Sequence, residues 1–274
     1  MRIIAGNGTI MSYPAVTDEV AYTYDGTIEG LLCAVFETYV RKEVPRDIAT
    51  PANLQLRLGQ DVHHVPTSPT IAQRVRNGIV RTCGPDSFEA VRVASLSDDP
   101  EKAGTICRFV RFAMQTGPDA LHRIADEHVE GFTRLHREVV NERHRMMQFL
   151  RFRELEGGIW FARCNPCANV VPLLMDWFVE RFNVQPFIIY DETHDLAGVY
   201  QGRGWFLVES DVLDLPECTA DEQVMSAAWR RFYEKAAIEA RYHPELRRSF
   251  MPKRLWKNIT EVSDEAPDTH PRKA

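Results

Sequence analysis

The chain has 274 residues, 33 Lys and Arg against 39 Asp and Glu, and a formal net charge of −6. A composition of 44% hydrophobic and 26% charged residues fits a globular protein with a sizeable core. It excludes a fibrous or low-complexity chain, and no apolar run approaches the ~20 residues that cross a bilayer.

The first residues, with one Arg and no sustained apolar core, read as a flexible lead over 1–19 rather than a signal peptide. Six cysteines are too few for a disulfide scaffold, and reduced thiols in a cytoplasm are expected. Val20 to Asp25 alternates and stops at Gly26, which predicts a strand and turn. Thr27 can cap a helix over Ile28–Arg41, with Leu31, Leu32, Val35, Phe36 and Tyr39 at helical spacing. Free N–H groups at that helix start suit an anion, although a plain turn and cap explain the same residues.

Gln60–Pro66 predicts a short strand. Helices follow over Thr70–Cys83, Ser87–Leu96, Pro100–Gln115 and Asp126–Leu150. In the last, Val129, Phe132, Leu135, Val139, Met146 and Leu150 trace one face. Arg143 falls inside that stripe, where a carboxylate partner is expected. Beyond Arg151 the texture changes. Gly158–Arg163, Pro186–Asp191, Ala197–Gln201 and Trp205–Glu209 read as strands, and Ala168–Phe182 as a helix with Pro172 in its first turn. A capped helix from Thr219 or Asp221 runs to about Tyr242, is ended by Pro244, and precedes a short helix from Pro252.

The pattern predicts an α+β fold: a mainly antiparallel sheet of about four to five strands packed with helices, plus a helical middle region. It reads as one domain over 20–261, with its helical part at about 70–153, its sheet at about 154–210 and C-terminal helices at 219–261. Residues 262–274 read as a disordered tail.

Three features carry chemistry. Cys164 and Cys167 stand at CxxC spacing, which suits a redox pair, a metal site or two unreactive thiols; a structural zinc site needs two more ligands. Asp191 and Glu192, with His194, follow an apolar strand and can move a proton, hold a metal or form a charged turn. Trp229–Glu261 holds nine Lys and Arg against four Asp and Glu, a local +5 in an acidic chain. Such separation points to an anionic partner or to a solvated, ion-paired helix face. Trp229, in a stripe with Met225 and Phe232, reads as core. The sequence itself indicates no cofactor, and no metal site beyond the Cys164/Cys167 candidate.

Several segments together resemble a bacterial family assigned to DNA repair or DNA metabolism: YDGTIEGLLCAVFETY (24–39), ERHRMMQFLRFRELEGGIWFA (142–162), NVVPLL (169–174), IIYDE (188–192), WRRFYEKAAIEAR (229–241) and FMPKRLWKNITE (250–261). The resemblance spans roughly 20–261. It implies DNA as a partner and association with a separate radical-SAM protein. Some relatives carry a further uracil-DNA glycosylase domain, which is not expected here. The matching positions are Tyr24, Asp25, Gly26, Gly30, Arg151, Phe152, Asn169, Pro172, Asp191, Trp229, Arg241, Pro244, Met251, Pro252, Lys253, Arg254 and Trp256. This chain departs from the pattern at Cys164–Ala168.

Three functions follow as expectations. In the first, the chain acts on DNA, or delivers it to the radical-SAM partner, with Arg247, Arg248, Lys253, Arg254 and Lys257 on phosphates and Trp256 stacked on a base or simply packed in the core. In the second, Tyr24, Asp25, Arg151, Asn169 and Asp191 form the cleft of an enzyme. In the third, the chain is a non-catalytic interaction module.

Overall fold

The computed structural model describes residues 16–210, 215–238 and 243–262. The chain folds as two compact units, Met1–Val140 and Asn141–Ala274. Among the described residues no helix is long and apolar enough to cross a membrane.

The first unit is built on a three-stranded sheet in the order β2-β1-β3, from β1 (Val16–Thr23), β2 (Val44–Ala49) and β3 (Asp61–His64). Both pairings are parallel. Parallel neighbours need a crossover, and α1 (Ile28–Val40) supplies it between β1 and β2. Thr27 caps α1 by accepting the Gly30 N–H at 3.0 Å. The apolar face Leu31, Leu32 and Val35 is buried. Four further α-helices follow: α2 (Pro69–Cys83), α3 (Pro85–Ala94), α4 (Lys102–Thr116) and α5 (Glu127–Phe149), whose residues from Asn141 onward belong to the second unit. Phe109 of α4 and Phe132 of α5 stack with centroids 3.7 Å apart inside this unit's core.

The second unit holds a five-stranded sheet, β4-β5-β6-β7-β8, from β4 (Phe152–Leu155), β5 (Ile159–Cys164), β6 (Phe187–Asp191), β7 (Leu196–Tyr200) and β8 (Trp205–Glu209). Three of its four pairings are antiparallel; β5 and β6 are parallel, with α6 (Val171–Phe182) between them in sequence. The protein is therefore α+β with a mainly antiparallel sheet, as its alternating strands and short turns predict. Two strands, β2 and β4, carry no strand signature in the sequence.

Side-chain alternation places Phe187 and Ile189 on the same sheet face as α6. There Leu174, Met175 and Phe178 of α6 are buried, and Phe187 meets Phe178 and Tyr200 edge-on or tilted. Full burial of each such side chain contributes about 1.5–3 kcal/mol. The opposite face buries Leu155, Phe161, Tyr190 and Ala197 together.

After β8 come α7 (Ala220–Ala236), capped by the Thr219 hydroxyl, and α8 (Pro244–Phe250). A 3₁₀ segment over Lys253–Asn258 lies near the end of the described chain. Helix α7 ends earlier than its pattern predicts: Ala237 is already extended, and 239–242 lie outside the described residues. Pro244 does not simply end a helix; it opens α8, where its missing N–H costs nothing. The expected lead (through residue 15) and tail (from 263) likewise lie outside the described residues, and β1 begins at Val16, ahead of the predicted strand.

Gly198 shows how tightly α6 sits on β7. A Cβ built there would fall far too close to Met175 Sδ and 2.9 Å from Val171 Cγ1. Because both neighbours belong to a buried helix face, Gly198→Ala is expected to destabilise the protein by about 1–3 kcal/mol through overpacking. Denaturant unfolding checks this; an unchanged midpoint would show that α6 can lift without cost.

Candidate functional site

The carboxyl ends of parallel strands leave backbone groups outside the ladder and are where ligands of such sheets tend to sit. In the second unit that edge is formed by Cys164 of β5 and Asp191 of β6, which are in register. Asp191 is fully buried. Its Oδ1 accepts the Thr193 and His194 N–H groups at 2.8 and 3.3 Å. Its Oδ2 lies 2.5 Å from His194 Nδ1. A carboxylate against Nδ1 fixes the ring's orientation and favours a proton on that nitrogen. Asp191 and His194 thus form an oriented acid–imidazole pair, with His194 largely but not wholly buried.

Next to it, Glu192 pairs with Lys257 Nζ at 2.6 Å and with Arg163 Nη1 at 3.2 Å. Burial alone would raise its carboxyl, but hydrogen bonds from Lys257 and Asn258 hold it below the ordinary range. Cys164 lies on the same edge. Burial, reinforced by Asp191, Glu192 and Glu142, pushes its thiol well up, against Arg254. The thiol donates to the Tyr190 carbonyl at 3.4 Å. Cys167 is exposed, and neither cysteine is in a disulfide. The pair therefore consists of a buried neutral thiol and an exposed one. Among the described residues no group of three His, Cys, Asp or Glu is placed to hold a metal ion.

Also at this edge is Glu142 of α5, 2% exposed. Its carboxylate accepts two bonds from Arg254 Nη2, at 2.6 and 2.8 Å, one from the Cys167 N–H at 3.0 Å and one from Arg145 at 3.2 Å. Arg254 Nη1 also donates to the Asn165 carbonyl at 2.7 Å, and Asn165 Nδ2 returns a bond to the Arg254 carbonyl at 2.8 Å. Glu142 is absent from the candidates that sequence motifs suggest, although a signal is present. It lies three residues after Val139 and four before Met146, on the stripe that is buried. Arg143, its neighbour, bonds the Leu173 carbonyl at 3.0 Å rather than the carboxylate expected for it.

The other sequence candidates fall into separate networks. Arg151 forms a two-pronged pair with Glu261, at 2.6 and 3.2 Å, and donates to the Gln148 and Leu150 carbonyls at the end of α5. For Glu261, burial would raise the carboxyl, but the Arg151 hydrogen bonds hold it low. Asn169 precedes α6, and its buried Oδ1 has no hydrogen-bond partner. Tyr24 and Asp25 belong to the first unit, at the carboxyl end of β1. Asp25 accepts Thr27 N and Oγ1 at 2.9 and 2.7 Å and Thr67 Oγ1 at 2.7 Å. Burial would raise its carboxyl, yet these bonds from Thr27 and Thr67 hold it low. Tyr24 is buried, which pushes its phenol up to about 12.

The basic block divides. Arg254 and Lys257 are committed to Glu142 and Glu192. Arg247 stacks on the Trp256 ring at 4.4 Å and Lys253 lies 5.9 Å from its centroid, while Trp256 Nε1 donates to the Met251 carbonyl. Arg248 is half-buried on α8. Trp229 is not core: it is 45% exposed, with its indole N–H on Glu261 at 3.2 Å.

A family model described as a domain of unknown function, DUF4130, matches residues 100–261. The match covers more than half of the chain, and the chain belongs to that family. No curated protein matches it.

Two outcomes follow from these networks. Arg254→Ala strands the buried Glu142 carboxylate and is expected to cost about 3–5 kcal/mol, whereas Lys257→Ala, at a half-exposed pair, costs under about 1 kcal/mol. Urea titrations of the two variants should separate them widely; equal losses would mean that Glu142 relaxes to water. The second outcome concerns acid. Since the folded-state pKa of Glu261 is depressed, its contribution is complete above the ordinary carboxylate range and is lost as pH falls through the lowered value. Glu261→Gln should therefore flatten the acid limb of the stability–pH curve, and an unaltered limb would contradict the Arg151 pairing.

Proposed function

We propose that the chain acts in DNA repair or modification, on DNA directly or as an accessory to a separate radical-SAM DNA-modifying protein. The six sequence segments that resemble the DNA-repair family motivate this reading. The observation that carries it is the arrangement at 247–256, where Arg247 and Lys253 both lie over the ring of Trp256, with Arg248 on the same short helix. A cation on the face of an aromatic ring keeps a defined position, and Lys253 held there is suited to phosphate neutralisation. Trp256 then serves as an organiser of cations rather than a platform for a base. With the whole chain at −6, its grip on DNA is local.

A second reading, that the chain is itself an enzyme, draws support from the Asp191–His194 pair. An imidazole oriented by a buried carboxylate suits proton transfer. Asp191→Asn would abolish a catalysed change in DNA without weakening DNA binding. Nucleoside analysis of DNA treated with the chain and its radical-SAM partner tests this; full product from the variant would dismiss the enzyme reading.

DNA binding is measured by fluorescence anisotropy on a short duplex across salt. The Arg247→Ala, Lys253→Ala variant is expected to reduce the slope of log K against log salt by about 0.9 for each phosphate it no longer neutralises. Lys257→Ala should leave the slope nearly unchanged. No binding by the parent chain at low salt would sink the proposal.

A further inference from the structure

Helix α7 is turned the opposite way from an ordinary surface helix. None of its residues is buried. Three of its links to the rest of the second unit are polar: Glu222 accepts the Glu154 N–H at 3.3 Å, Arg230 Nε donates to the Thr260 carbonyl at 3.0 Å, and Trp229 Nε1 donates to Glu261. Meanwhile Val224, Met225 and Phe232 are 67%, 65% and 60% exposed, and Trp229 stacks on Phe232 in the open. At ~100° per residue, Val224, Met225, Ala228, Trp229 and Phe232 span a sector of about 140°, its centre roughly 130° from that of the Glu222–Ser226–Arg230 row. A contiguous apolar stripe of this kind marks a surface that another macromolecule covers.

The charges at its two ends indicate which one. Asp221 and Lys235 lie on the stripe's side of the helix, at its start and end, about 21 Å apart. Ala228 is midway between them, and Val224 and Phe232 are equidistant from it. The pairs Val224/Phe232 and Asp221/Lys235 are thus each symmetric about Ala228. A second, antiparallel α7 would set Val224 against Phe232 and Asp221 against Lys235 twice over, with two small alanines at the crossing point. A parallel copy would instead oppose like charges. Such reciprocity is what a two-fold interface requires.

We propose that α7 is the self-association surface of this protein, pairing two copies antiparallel about Ala228. The inference rests on α7 alone and is independent of the DNA reading. Sedimentation of the full chain should show a dimer. Ala228→Arg and Phe232→Glu should each weaken it by about tenfold or more. Asp221→Lys should weaken it too, and Asp221→Lys combined with Lys235→Asp should restore it, which a general folding defect would not do. Far-UV circular dichroism checks that the variants keep their helices. A chain that stays monomeric at every concentration overturns the proposal, as does a dimer indifferent to these substitutions. So does a monomer whose tryptophan emission shifts, through Trp229, only when the radical-SAM protein is added, which would assign the stripe to that protein.

Discussion

The buried carboxylate of Glu142 is the constraint around which the second unit's carboxyl edge is arranged. A carboxylate removed from water is costly unless several donors surround it. Those donors come from three places in the sequence: Arg145 one turn along α5, the Cys167 N–H in the β5–α6 loop, and Arg254 in the 3₁₀ segment. Satisfying one charge therefore fixes a loop and a terminal segment against the same helix. The reciprocal Asn165–Arg254 bonds then hold the two segments to each other. Asn258, one turn beyond Arg254, reaches both Asn165 and Glu192 and so joins this network to the strand end that bears Asp191.

That arrangement alters the meaning of the C-terminal charge. Along the sequence, Arg247, Arg248, Lys253, Arg254 and Lys257 are equivalent members of a basic run. In the fold they differ by what they face. Arg254 has two structural tasks, neutralising Glu142 and tying the Asn165 carbonyl. Lys257 answers Glu192, whose other cationic partner is Arg163. Arg247 and Lys253 also lie over the ring of Trp256. Composition reports the total charge of a segment. The carboxylates that neutralise parts of it come from α5 and the end of β6, and only the fold brings them there.

The same distinction explains what is legible in the sequence. Helices α1, α2 and α6 can be read because periodicity, the capping Thr27 of α1 and the first-turn Pro172 of α6 are local signals. Strand β2 cannot: VPRDIA contains a proline and two charges, and it is a strand because β1 offers it a parallel partner. Strand β4 is hidden for a similar reason, since FREL gains its pairing from β5 on one side and from a bridge to Cys218 on the other. Trp229 reads as core yet is exposed, because an apolar helical stripe states that a face is to be covered, not by what. Asp191 is legible as an acid after an apolar strand, but its hold on His194 depends on the turn that follows.

The two acids at strand ends, Asp25 and Asp191, obey one local rule. Each follows a buried tyrosine, Tyr24 or Tyr190, and each has a threonine two residues on. In both, the carboxylate Oδ1 accepts that threonine's N–H, at 2.9 Å for Thr27 and 2.8 Å for Thr193. An aspartate leaving a strand can close this short turn on its own backbone, so the motif forms without help from the rest of the fold. What differs is the second oxygen. On Asp25 it takes the hydroxyl of Thr67, and Gly30 leaves the room, since a Cβ there would strike the carboxylate. That carboxylate is filled by neutral donors at a helix start and acts as a clasp between β1, α1 and the segment before α2. On Asp191 the second oxygen takes the ring nitrogen Nδ1 of His194. The same Asp–Thr turn thus leaves one acid clasped by threonine hydroxyls and sets the other against an imidazole.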